Sequence, residues 1–205
     1  MKLLKENSYE IVRLFINQVG ITIFSLVLYT GLDFGMGKDS SHTVRIWLSV
    51  FATVFYLILL YNAGWEYGSK DKIKIDAGKM GAVRGKGVIM AIVANSLNFL
   101  FAIIGVVSMA IYFATEAAWL YTVFSVANLF LRFFCAMYLG IIQGIFSYLP
   151  ANSNMDYFLE TVGFGVMPLL AIAATQIGYL FGSKDIRIVN LFKSKPQGPT
   201  MGGRD

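Results

Sequence analysis

Apolar runs long enough to cross a bilayer recur along this chain, and they constrain its fold more than any single motif. Residues 11–32 and 44–67 form two of them. A helix needs about 20 such residues to cross ~30 Å of hydrocarbon. In lipid every backbone N–H and C=O must be satisfied within the protein, so these runs predict α-helices. Composition agrees. Hydrophobic residues make up 57% of the 205 and charged residues 14%, against about half and a quarter in soluble domains. We expect an all-α polytopic transmembrane helical bundle.

Two of the runs end on the same pattern. Gly64-Trp65-Glu66-Tyr67-Gly68-Ser69-Lys70-Asp71 recurs as Gly178-Tyr179-Leu180-Phe181-Gly182-Ser183-Lys184-Asp185, a shared G-[WY]-x-[YF]-G-S-K-D. Each copy lies where hydrophobicity gives way to charge, so both helices should leave the bilayer on one side. Further runs cover 87–113, 117–131, 132–149 and 159–181. The segment 117–149 reads as two short spans or one long helix, giving six or five in all. The Lys/Arg bias of cytoplasmic loops decides for six. With both termini inside, fifteen of the 17 basic residues face the cytoplasm, leaving only Lys38 and Arg45 outside. The expected organisation is one transmembrane domain over 1–182 and a polar cytoplasmic tail over 183–205. Within it lie duplicated hairpins at about 12–71 and 131–185, flanking a central hairpin at 87–131. The opening MKLLKENSYE has no apolar core with a cleavage site, so the first span is expected to direct insertion.

Each motif position suits a helix leaving a membrane. Trp65, Tyr67, Tyr179 and Phe181 fall where interfacial aromatics gather. Gly68 and Gly182 suit a left-handed C-cap, and Lys70 and Lys184 suit the negative end of the helix dipole and anionic headgroups. Asp71 and Asp185 suit the cap of whatever follows, while the alternation over 72–76 and 186–190 reads as strand-like or interfacial. The pattern W-x-x-G-x-K-D before a Gly- and Lys-rich loop, carried by Trp65, Gly68, Lys70, Asp71, Gly78, Arg84 and Gly87, resembles small polytopic membrane proteins of Gram-positive anaerobic bacteria. That resemblance implies a bacterial plasma membrane and brings no activity with it.

The loop 78–87 is not a phosphate loop, because Met80 and Gly87 stand where a Walker loop needs Gly and Ser or Thr. It reads as a basic segment drawn to anionic lipid. Polar residues inside the spans carry more. Ala91, Asn95, Asn98, Ala102 and Gly105 share one helix face, as close helix packing in lipid requires. Tyr121, Ser125, Asn128 and Arg132 share another. With six spans Arg132 marks the inner boundary; in one long helix it would be a costly buried charge. Asn62 and Gln176 hold equivalent places in the two copies and, with Asn17, Gln18 and Gln143, suit a polar path. Pro168, after Gly163 and Gly165, suits a kinked last span.

One cysteine, Cys135, and one histidine, His42, leave no disulfide and no Cys- or His-based metal cluster. No HExxH, GxSxG or paired intramembrane aspartates occur. We expect no cofactor, no catalysis and no nucleic-acid partner, the charge of +5 being accounted for by positive-inside loops. The expected function is a transport or membrane-embedded binding component for a small polar solute, with candidate binding residues Asn62, Gln176, Asn95, Asn98, Asn128 and Arg132, of which Asn62, Gln176, Asn95 and Arg132 should converge on one water-accessible cavity. The alternative is a scaffold whose basic face, built on both motif copies, binds a partner or anionic lipid. Other membrane subunits or further copies of the chain are the expected partners.

Overall fold

The computed structural model describes residues 7–36, 42–79, 81, 85–147 and 154–186. Among them there is no strand. The helices are α1 (Ser8–Met36), α2 (His42–Asp76), α3 (Lys86–Ala94), α4 (Ser96–Thr115), α5 (Ala118–Phe134), α6 (Leu139–Ile145), α7 (Asn154–Val166) and α8 (Pro168–Ser183), with a 3₁₀ turn at Ala136–Tyr138 between α5 and α6. Four described helices are long and apolar enough to cross a membrane, α7 and α8 counting as one continuous helix. A fifth candidate, α5 with the turn and α6, is bent by 84°. His42 opens α2 instead of lying in a loop. Expectations for Lys38, Arg84 and the 187–205 part of the tail fall outside the described residues, while Asn154–Tyr157, expected as the end of a polar loop over 150–157, open α7.

The motif copies meet in the most extensive contact of the fold, that between α2 and α8. A methyl group added at Gly64 would run into the Thr175 carbonyl, and one at Gly178 into the Tyr61 carbonyl. Likewise Gly68 meets the Tyr179 carbonyl and Gly182 that of Trp65. The partners are reciprocal, and their numbers rise together, so the helices run parallel and exit at one end. The pattern is thus G-x-x-x-G on both sides of one seam, where missing side chains let backbones touch.

This corrects the capping expectation. Gly68 is interior to α2, which continues through 72–76 as helix and not as strand. Its stop is Gly78, at φ 67°, where Lys79 N–H reaches the Lys74 carbonyl and Gly78 N–H that of Ile75, both at 2.9 Å. In the second copy Asp185 takes the left-handed position at φ 57°, with Ile186 N–H on the Phe181 carbonyl and Asp185 N–H on that of Gly182. Both are Schellman caps.

Contacts fix the height of the remaining elements. At the motif end, Arg13 of α1 pairs with Glu66 at 2.7 Å, and Trp65 Nε1 donates to the Ile186 carbonyl. The first and last described helices therefore share that end. The tip of α5 reaches the middle of α1, where Thr22 donates to the Phe134 carbonyl. The chain then turns back. Met137 lies beside Ser49 and Thr53, and Gly140 beside Arg45 and Ser49, in the first third of α2. Of the segments 117–131 and 132–149, expected as two spans, the described parts form one helix pair bent by 84°, whose second arm runs back toward the start of α2.

Candidate functional site at the junction of three helix breaks

Three helices are interrupted, each for a local reason. At Asn95 the side-chain Nδ2 donates to the Ala91 carbonyl at 2.9 Å, and α3 gives way to α4. At Pro168 the missing N–H leaves the Phe164 carbonyl without its helical donor. The Cys135 thiol faces that carbonyl at 4.0 Å, and Cys135 is itself the break between α5 and the 3₁₀ turn. The second and third breaks therefore touch. The first lies level with them by register: Gly105 packs on Thr161, and Gly165 on Ala102. One further turn of this antiparallel pair brings Asn98 to the height of Pro168.

A bent backbone in lipid needs replacement partners, and α1 and α2 supply them. The Phe134 carbonyl accepts from Thr22 at 3.0 Å and Gln18 at 3.4 Å. That of Met137 accepts from Ser49 at 2.6 Å and Thr53 at 3.2 Å. The Ser49 hydroxyl in turn accepts the Ile141 N–H, and the Tyr29 hydroxyl the Gly140 N–H. Against this saturated background, Tyr56 Oη, Tyr138 Oη and Asn98 Oδ1 have no hydrogen-bond partner among the described residues. All three residues are at most 1% exposed, and the two tyrosines are electrostatic neighbours of Cys135. Such groups are costly to bury alone, so an open hydroxyl beside a helix break points to an additional partner. Tyr61 Oη is also unpartnered, but it borders an apolar groove between α2 and α8 with Val54, Ile58 and Ile177.

One turn from the breaks, Arg132 Nη2 donates to Glu160 Oε2. Arg132 Nε reaches Asn128 Oδ1 at 3.4 Å, and its guanidinium lies 5.8 Å from the Tyr157 ring centroid. Glu160 is buried. Arg132 is therefore not a boundary marker but half of an interior ion pair. A second buried pair closes the motif end, where Lys86 Nζ donates to Asp71 Oδ2 at 2.7 Å and the Tyr179 hydroxyl donates to the same oxygen at 3.0 Å. Lys86, expected in a lipid-facing loop, is 4% exposed. Lys86→Met should leave Asp71 buried and uncompensated, costing about 3–5 kcal/mol. Thermal unfolding in detergent checks this, and Lys86→Met with Asp71→Leu should recover much of the loss.

The expected convergence of Asn62, Gln176, Asn95 and Arg132 is not met. Asn62 is exposed on the outer side of α2, whereas Gln176 accepts the Val88 N–H at 3.0 Å. Asn95 and Asn98 bond each other at 3.1 Å, and Asn128 and Arg132 belong to the Glu160 cluster. The grooves described are lined mainly by apolar residues of neighbouring helices, with Thr122 and Ser96 among them, and hold none of the four. Of the motif residues expected on the cytoplasmic face, Gly68, Asp71 and Gly182 are interior, while Lys70, Lys184 and Asp185 are exposed. Lys70 pairs with Glu66 at 2.7 Å and Asp185 lies 3.9 Å from Lys72. Sequence reasoning missed Tyr56, Tyr138 and Glu160. The signal for Glu160 was present, as a lone acid just inside the last apolar run.

Comparison of the chain with protein-family models, with curated proteins and with solved structures finds no match.

Proposed function

We propose that the chain is a non-enzymatic component of a bacterial plasma membrane that binds, and passes across, a small polar solute at the junction of the three breaks. The single observation carrying this reading is the set of open polar atoms, Tyr56 Oη, Tyr138 Oη and Asn98 Oδ1, near main-chain breaks. Broken helices meeting near the bilayer midplane are where transporters place their sites. In this reading α5 and α6 form a re-entrant hairpin, four crossings replace six, and the motif end faces the cytoplasm because Lys70, Lys72, Lys74, Lys79 and Lys184 gather there. The reciprocal seam supports descent of both exits from one duplicated helix end.

Phenylalanine at the two tyrosines tests this. A hydroxyl that serves a solute, and not the fold, is dispensable for stability. Tyr56→Phe and Tyr138→Phe should each hold or raise stability by about 1 kcal/mol, since a buried unsatisfied group is removed. The same variants should lose solute-dependent thermal stabilisation. If both instead destabilise the protein and leave solute response intact, the hydroxyls are structural and the site is misplaced.

A second reading draws on the exposed lysines beside Trp65. In it, Lys70, Lys74, Lys79 and Lys184 form a surface for anionic headgroups. Co-sedimentation with vesicles should then rise with phosphatidylglycerol content and fall with salt.

A further inference from the structure

The chemistry of the open atoms narrows the solute, and the narrowing rests on the junction being the binding site. Hydrated cations crossing a membrane exchange water for carbonyl oxygens or carboxylates. Here two main-chain carbonyls at the breaks already accept side-chain hydrogen bonds, and a third faces only a thiol. Phe134 is held by Thr22 and Gln18, Met137 by Ser49 and Thr53, and Phe164 faces the Cys135 thiol. The nearby carboxylate, Glu160, is bound to Arg132, and the guanidinium of Arg132 is likewise committed to Glu160 and Asn128. No charged side chain at the junction is left to compensate an ion, an uncompensated ion at this depth is expensive, and three open oxygens are fewer than the roughly six that replace a cation's hydration shell.

What remains open is neutral. Two phenol hydroxyls can each donate and accept, and an amide oxygen can accept only. These groups match a small uncharged molecule that carries both N–H or O–H donors and an oxygen acceptor. Amides, ureas and short polyols have that character. Asn98 Oδ1 demands a donor from the solute, which excludes molecules that only accept. We infer that the junction selects small neutral donor–acceptor solutes and rejects ions of either sign.

Proteoliposomes and protein-free liposomes in stopped-flow light scattering separate the cases. Urea, acetamide and glycerol serve as neutral probes, and potassium and chloride fluxes are read in parallel. We expect faster entry of at least one neutral probe than in protein-free liposomes, with no ion flux above background. Replacing Tyr56, Tyr138 or Asn98 by Phe, Phe or Leu should weaken solute affinity about tenfold for each hydrogen bond lost. Ion flux that these variants abolish would overturn the neutral class while leaving the junction as the site. Neutral flux unchanged by all three variants would overturn the junction itself. No flux of any probe, together with no solute-dependent rise in Tm, would overturn both.

Discussion

Gly68→Val should abolish the native packing of α2 on α8. The added Cβ would strike the Tyr179 carbonyl and approach the Ser183 N–H, and neither can move without shifting α8. Overpacking costs about 1–3 kcal/mol where side chains can yield, and a backbone obstacle puts this variant at or beyond the upper end. Gly182→Val should behave alike because the contact is reciprocal, striking the Trp65 carbonyl. Gly20→Ala is the control. Nothing lies within 4 Å of a Cβ at Gly20, so a helix-interior glycine is replaced to advantage by about 0.5–1 kcal/mol. Thermal unfolding of the three proteins in one detergent orders them, and equal stability of Gly68→Val and Gly20→Ala would remove the seam from the account.

Glu160→Leu should be strongly destabilising, on the scale of Lys86→Met. Arg132 would be left without its carboxylate, a loss of about 3–5 kcal/mol for a buried pair broken on one side. Arg132→Met combined with Glu160→Leu removes both charges, and such apolar replacements are often neutral or stabilising. Stability recovered in the double variant, with solute flux unchanged, would assign the pair to structure alone. Recovered stability with flux lost would assign it to positioning of the α5 tip beside the junction. Failure of the double variant to recover would mean that the pair is not isolated from other interactions.

The sequence carried the helical class and the shared exit of the two motif copies. It did so because both rest on local quantities: the length of apolar runs and the place where charge begins. Span count was less legible. The charge bias and the shared exit favoured six over five only through parity, and a bent pair that turns back keeps that parity. Nothing local in 117–149 says that α5 turns back, since the partners that permit it, Thr22, Gln18, Ser49 and Thr53, lie some 80 to 120 residues away. The glycines were misassigned for a related reason. A glycine beside charge fits a C-cap as well as a G-x-x-x-G seam, and only the facing helix distinguishes them. Gly78 shows the cost of choosing the nearer stop signal.

The polar residues taught a similar lesson. Asn62 and Gln176 drew attention through their matching places in the repeat, yet one is exposed and the other is bound to a main-chain N–H. Tyr56 and Tyr138 drew none, because tyrosines in apolar runs are ordinary. Their open hydroxyls become visible only against the satisfied groups around them.

A crystal structure grown in a lipid mesophase, with urea or acetamide present, tests the central claim most directly. The account predicts non-protein density within hydrogen-bonding distance of Tyr56 Oη, Tyr138 Oη or Asn98 Oδ1, lost in Tyr56→Phe with Tyr138→Phe. A junction free of such density, in which the two tyrosines and Asn98 bond to protein groups instead, would contradict it.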